Sequence, residues 1–423
     1  MTKKKQTATA SNLRFPEFVG QNRREVRLCE VTSESRVRNR DGLPAKAVMG
    51  VSKVLGIIPM EERVVSSDIT RYKVVKKNWF AYNPMRLNIG SIARWHGDED
   101  ILVSPDYVVF RCVDEPESGI SPDYLDQFRQ SALWDAFVSE GGDGGVRIRI
   151  YYQDLAQLKI SLPTPAEQQK IADCLTSLDE LIASQGEKVK ALKSYKRGLM
   201  QQLFPREGEA LPQFRFPEFR TQPEWDTLRI AELKPFVTSG SRGWAAYYAN
   251  HGSLFVRITN LSRDSISLDL TDSKFVNLPS GSSEGVRTQL RTHDILISIT
   301  ADIGIVGYVD DSFPAPAYIN QHIALVRFEN AKVCSKFVAY FLSSDDVQRQ
   351  FRLSTDNGTK AGMNLITVQS TPLLLPTLLE QQRIASFLSS IDSQISAEAQ
   401  KLDVLKTHRK GLMQRLFPLP EEV

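Results

Sequence analysis

The residues nearest to catalytic chemistry in this chain are Asn83-Pro84-Met85. They resemble the start of an Asn/Asp-Pro-Pro-Phe/Tyr methyl-transfer motif but lack its second proline and its stacking aromatic, and no Phe-x-Gly-x-Gly partner occurs. Gly358-Thr359-Lys360 lacks the first glycine of a phosphate-cradling loop. Pro105-Asp106 and Pro122-Asp123 could open a nuclease motif, yet no Glu-x-Lys follows at suitable spacing. No Ser/His/Asp pattern is present. Cys29, Cys112, Cys174 and Cys334 lie far apart, with no Cys-x-x-Cys pair and no histidine cluster beside them. A zinc site or disulfide framework is therefore not expected, and the compartment reads as reducing. The chemistry that remains is binding without catalysis or cofactor.

The binding candidates are basic. Between Asp68 and Asp98 there is no acidic residue, but there are Arg71, Lys73, Lys76, Lys77, Arg86 and Arg94. Tyr72, Trp79, Phe80, Tyr82 and Trp95 are interleaved, and each aromatic taken singly reads better as core. Arg36-Val37-Arg38-Asn39-Arg40 forms a second basic run, and Lys53 lies between the two. Further along, Ser239-Gly240-Ser241-Arg242-Gly243-Trp244 leads to Tyr247-Tyr248, where two glycines suit an exposed loop presenting arginine. Arg257, Asn260, Arg263 and Lys360 complete the second set. Basic groups of this kind contact phosphates, and arginine reads guanine edges. The competing reading is a solvated surface.

Two heads must carry these sets. Residues 13–160 and 213–373 hold short β-branched runs, such as Tyr107–Phe110 and Asp294–Ile299, separated by turn residues, and both read as mixed α/β. Asn88-Ile89-Gly90-Ser91-Ile92 and Asp302-Ile303-Gly304-Ile305-Val306 occupy corresponding places, with strands at Tyr107–Arg111 and Ile323–Phe328 and helical patches at 122–138 and 334–352 after them. The heads share a plan and differ in surface, as two readers of different sequences would.

The segments after the heads are nearly the same sequence written twice. Pro163-Thr164-Pro165-Ala166-Glu167-Gln168-Gln169 ends in Gly198-Leu199-Met200-Gln201-Gln202-Leu203-Phe204-Pro205. Pro376-Thr377-Leu378-Leu379-Glu380-Gln381-Gln382 ends in Gly411-Leu412-Met413-Gln414-Arg415-Leu416-Phe417-Pro418. Before each head, Arg14-Phe15-Pro16-Glu17-Phe18 recurs as Arg215-Phe216-Pro217-Glu218-Phe219. Thr164 and Thr377 with Glu167 and Glu380 form capping boxes that start helices. Apolar residues then follow a 4-3-4-3 spacing: Ile171, Leu175, Leu178, Ile182, Val189, Leu192, Leu199 and Leu203, matched by Ile384, Leu388, Ile391, Ile395, Leu402, Leu405, Leu412 and Leu416. Helices of about 38 residues, near 57 Å long, stop before Pro205 and Pro418. Each seam needs a partner, and the other copy is the natural one; packing on the adjacent head is the alternative. An antiparallel pair is expected, with one register placing Gln185 opposite Arg409 and Lys196 opposite Glu398.

In 423 residues the hydrophobic share is 41% and the net charge +3, ordinary for a globular chain that neither demands nor excludes nucleic acid. No apolar run suits a membrane helix. Residues 1–12 read as a disordered basic tail without a secretory h-region, so the expected place is cytoplasmic.

With these motifs the chain resembles the specificity subunit of a type I restriction-modification system over nearly its whole length. The most specific features are the doubled Pro-Thr-x-x-Glu-Gln-Gln-Lys/Arg-Ile-Ala…Gly-Leu-Met-Gln-x-Leu-Phe-Pro, the Pro-Glu-Phe segments and the 240–248 stretch. The resemblance implies an α+β fold: target-recognition domains at 13–160 and 213–373, and repeat helices at 161–212 and 374–423 forming an antiparallel coiled-coil spacer with pseudo-two-fold symmetry. It implies binding of double-stranded DNA at a bipartite site, with two modification subunits and, in the full complex, restriction subunits as partners. A stand-alone methyltransferase or nuclease, and a coiled-coil scaffold without DNA binding, are the alternatives.

Overall fold

A computed structural model describes residues 13–60, 66–113, 115, 118–140, 149–279, 281–353 and 362–418. The basic tail expected at 1–12 lies outside the described residues. The chain divides into two compact units, Met1–Ser184 with Lys401–Val423, and Gln185–Gln400. Each unit holds one head and one half of each long helix.

Both heads are built on the same four-stranded antiparallel sheet. In the first unit the order is Thr32–Ser35, Val108–Cys112, Phe80–Tyr82, Ile92–Arg94; in the second it is Phe236–Ser239, Ile323–Arg327, Ile295–Ser298, Val306–Tyr308. The inner strands are apolar runs buried on both faces, so they carry no polar alternation. Gly90 and Gly304 stand before the last strand of each sheet at φ +88° and +86°, a conformation that favours glycine. The correspondence expected around them is present, with strands at Ile92–Arg94 and Val306–Tyr308. A β-carbon on Gly304 would come within 2.9 Å of the Phe351 ring.

A clasp closes each head onto its helix. The strand Arg24–Arg27 pairs antiparallel with Lys159–Leu162, and Asp226–Arg229 pairs in the same way with Pro372–Leu375. The chain then enters the long helices, Pro165–Leu203 and Leu378–Leu416, 39 residues each and about 58 Å long at 1.5 Å per residue. The Thr164 hydroxyl accepts from the Glu167 N–H at 3.4 Å, and Thr377 from Glu380 likewise. Only this half of each expected capping box forms, because both glutamates are drawn to arginines elsewhere.

The helix ends sink into the heads. In the first unit Ile171, Leu175, Met413, Leu416 and Phe417 join the cluster of Phe80, Phe110, Tyr124, Phe128 and Trp134. In the second unit Met200, Leu203, Phe204, Ile384 and Leu388 join Trp225, Phe337 and Phe341. Leu178, Ile182, Leu402 and Leu405 are only half-buried. The seam therefore packs on the adjacent head at its ends as well as helix against helix. The helical patches expected at 122–138 and 334–352 are each split, into Pro122–Phe128 and Ala132–Glu140, and into Ser335–Leu342 and Asp345–Leu353.

Candidate nucleic-acid interface

In both heads the loop leaving the sheet's edge strand carries arginines. After Thr32–Ser35 come Arg36, Arg38 and Arg40, all exposed. Residues two apart on an extended chain share a face, and this stretch is held extended by an Arg38–Lys73 bridge and by the bond from the Val74 N–H to the Val37 carbonyl. Buried Asn39 pins the loop by bonding both backbone groups of Leu43, at 2.8 and 3.0 Å. Arg36 also meets Glu34 at 2.8 Å, and Arg38 donates to the Arg71 carbonyl. After Phe236–Ser239 comes exposed Arg242 in the Gly240–Gly243 loop. Gly240 is needed there, since a β-carbon would meet the Ile319 carbonyl at 2.3 Å.

The acid-free stretch of the first head is partly neutralised in space. Strands Lys73–Val75 and Ile101–Val103 pair antiparallel, which returns the acids beyond the stretch onto its lysines. Lys77 meets Asp98 at 2.5 Å and Lys76 meets Asp100 at 3.6 Å. The Lys77 hydrogen bond holds the Asp98 carboxyl below its ordinary value. These pairs are exposed and screened by water, which leaves both lysines free to exchange toward a phosphate. Lys73 is half-buried, donates to the Tyr107 carbonyl and is lowered by desolvation. Arg86 is exposed, and Lys53 is exposed in a hairpin turn.

Three candidates are corrected by the structure. Arg94 is 8% exposed, bonded to Asp123 at 2.6 Å and to the Asn78 amide oxygen at 2.6 Å, so it braces the head's interior. Trp244 is 3% exposed and stacks on Phe255 at 4.9 Å; its loop turns the ring inward, because an indole gains more by joining that aromatic cluster than by standing in water. Asn260 is buried and bonds the Arg257 N–H and the Asp269 and Asp272 carbonyls, closing a turn. Of the rest, Tyr247 remains exposed beside Trp244. Arg257 is held by Asp272 at 2.8 Å, and Arg263 by Asp302 and Gln348. Lys360 lies outside the described residues.

The fold also gathers cations that the sequence keeps apart. Lys234, Arg291 and Arg327 line one groove of the second head with Phe236 and Val286. Arg327 is bonded to Asp294 at 2.7 Å, and burial pushes that carboxyl up even so.

At the helices, the repeated Glu-Gln-Gln performs the same task in both units. Glu167 receives Arg14 at 2.6 Å and Arg23 at 2.9 Å; Glu380 receives Arg215 at 2.7 Å. Burial would raise the Glu167 carboxyl, but the two arginines bring it below its ordinary value. Gln168 bonds the Ser121 N–H and the Gly119 and Pro163 carbonyls. Gln381 bonds the Cys334 N–H and the Lys332 and Pro376 carbonyls. Each head is thus tied to its helix by the motif that also starts the helix.

Within each unit the helix halves run antiparallel, but the expected pairs do not form. Lys196 meets Asp392 at 2.6 Å, six residues before Glu398, and Arg409 meets Asp179 at 3.0 Å rather than Gln185. Gln185 bonds Glu398 at 2.7 Å, and Lys188 meets the same carboxylate at 2.9 Å. The seam settles on the aspartates because Tyr340 and Gln127, one from each head, complete the two networks. The Tyr340 hydroxyl donates to Asp392 at 2.7 Å, and Arg409 donates to Gln127 at 3.2 Å. Asp179, Arg409 and Gln127 stand at the same repeat offset from Asp392, Lys196 and Tyr340. That offset was a usable signal, because aspartate falls at equivalent positions of both copies.

Residues 139–194 and 272–407 match the family model described as the type I restriction modification DNA specificity domain. The chain is 24% identical over 370 residues to a Methanocaldococcus jannaschii chain named as the type I restriction enzyme MjaX specificity subunit, covering 84% of this chain and 81% of that one. It is 23% identical over 271 residues to the MjaVIII specificity subunit of the same organism, covering 62% and 61%. In fold it resembles the S subunit of a type I restriction-modification system from M. genitalium, with TM-score 0.58, 14% identity and coverage of 97% and 100%. It also resembles a chain from a structural study of type I complex assembly and conformational transition, with TM-score 0.56, 19% identity and coverage of 94% and 98%.

Proposed function

We infer that this chain is the specificity subunit of a type I restriction-modification system, a DNA-reading protein without catalysis of its own. The observation that carries this reading is a duplicated clasp and helix supporting two heads of one topology and different surface. Divergent heads on a repeated support suit a ligand that is read at two places, and duplex DNA is such a ligand. Exposed arginines on the equivalent loops, Arg36, Arg38 and Arg40 in one head and Arg242 in the other, supply phosphate and base-edge contacts.

On this reading residues 13–160 and 213–373 are target-recognition domains, each reading half of a bipartite site. The helices at 161–212 and 374–423 set the number of unread base pairs between the halves. Two modification subunits dock on the repeated elements and methylate adenine, restriction subunits join the full complex, and the assembly works in the cytoplasm. The test is methylome sequencing of a host expressing this chain with its modification partner. A bipartite methylated motif is the expected result. A contiguous motif, or no new methylation, refutes the reading.

A further inference from the structure

The first head carries an unusual hairpin. Strands Met49–Ser52 and Gly56–Pro59 pair antiparallel from Met49↔Pro59 to Ser52↔Gly56, and the turn between them is Lys53-Val54-Leu55. Val54 is 84% exposed and Leu55 70%. The turn is built to hold them out. The Ser52 hydroxyl accepts from the Val54 and Leu55 N–H groups at 3.3 and 3.2 Å, and Gly56, which follows the turn, takes φ +70°, a conformation that favours glycine. The hairpin is anchored by the Ser91 hydroxyl donating to the Val51 carbonyl at 3.1 Å. The Lys53 stem lies over Gly90. The adjoining loop exposes Met85, Arg86 and Ile89. Neither segment contributing to this surface, 42–60 or 69–97, contains an acidic residue.

Exposed Val54 and Leu55 offer an apolar contact, and exposed Lys53 and Arg86 beside them suit a polyanion as the occupant. A two-stranded ribbon fits the major groove, where the 5-methyl of thymine is the one apolar group that a base edge presents. We propose that Val54 and Leu55 are specificity-determining residues of the first head, touching thymine methyl groups in the major groove while Lys53 and Arg86 hold the flanking phosphates. The proposal rests on the DNA-reading function above.

The test uses the complete complex of this chain with its modification subunits, on a duplex carrying the mapped site. Thymines of the first half-site and its flanks are replaced one at a time by deoxyuridine, which removes only the methyl. The expected result is a loss of about four-fold in affinity at one position or more, the value of one buried methyl. Val54→Ser with Leu55→Ser should weaken binding and abolish the thymine–uracil difference at that position. Leu55→Met, which keeps apolar atoms at the tip, should retain it. Indifference to uracil at every thymine overturns the proposal, as does a serine variant that discriminates like the parent. So does a serine variant that loses its modification subunits while thymine discrimination persists, because the tip is then a protein contact. Failure of the parent complex to bind DNA at all would instead overturn the DNA-reading function.

Discussion

Asp392 is the residue whose removal tests the helix register most directly. It accepts from Lys196 at 2.6 Å and from the Tyr340 hydroxyl at 2.7 Å, with both side chains of the ion pair about nine-tenths buried. Burial, followed by the Asp392 charge, pushes the Tyr340 hydroxyl far above its ordinary range, so it stays a neutral donor. Asp392→Ala therefore leaves the buried ammonium only the Asp264 carbonyl at 3.5 Å and takes the carboxylate acceptor from the buried hydroxyl. Breaking one side of such a pair costs about 3–5 kcal/mol. At roughly 2–4 °C per kcal/mol for a unit of this size, the second unit's melting temperature should fall by about 6–20 °C. Removing the whole network as Lys196→Met, Asp392→Leu and Tyr340→Phe should be nearly neutral or stabilising, since buried pairs often break even against apolar packing. Lys188→Ala is the control. That lysine is half-exposed on Glu398, and its loss should cost no more than about 1 kcal/mol. Differential scanning calorimetry reads all three. The reasoning fails if Asp392→Ala melts within 2 °C of the parent, or if the triple variant is as unstable as the single one.

Three further outcomes follow from the same geometry. Replacing Lys76, Lys77 and Arg86 by alanine should lower the salt dependence of DNA binding by about one unit of slope per lost phosphate contact; Arg94→Ala should instead lower thermal stability, and an unchanged slope in the triple variant would remove these lysines from the interface. Glu167 has its folded pKa below the ordinary 4.5, so its arginine bonds stabilise the fold above that value and are lost as pH falls through the lower folded pKa; Glu167→Gln should flatten the loss of first-unit stability from pH 5 to 3, and identical melting curves for variant and parent over that range would contradict the assignment. Exchanging residues 13–160 for the first head of a type I specificity subunit should alter one half of the methylated motif, and a change in both halves would count against separate readers.

The helices were legible because their signals are local. Thr164, Pro165 and the 4-3-4-3 seam are set by neighbours within a turn or two, and repetition of the pattern at the second copy confirmed it. The shared plan of the heads was visible at Gly90 and Gly304 because a left-handed φ favours one residue type. The register was legible only through the aspartates that the repeat places at equivalent positions, not through the polar breaks themselves. Lys196 and Arg409 were recognisable as polar breaks, but their partners were chosen by Tyr340 and Gln127, which approach from the heads and lie outside any helix pattern. The acid-free stretch misled for the same kind of reason, since a strand pairing over some thirty residues brings Asp98 and Asp100 back onto Lys77 and Lys76.

By itself the sequence determined the duplicated support, the two heads and the absence of recognisable catalytic motifs. These rest on periodicity, on residue-specific backbone preference and on repetition, all of which survive without knowing what packs where. The tertiary structure alone decided which charges are used up inside and which remain for a ligand. Arg94, Trp244 and Asn260 went to the interior, while Lys234 and Arg291 joined one groove from distant parts of the chain. The physical reason is that the worth of a charge or a ring depends on the groups within a few ångströms of it, and those neighbours are chosen by the fold.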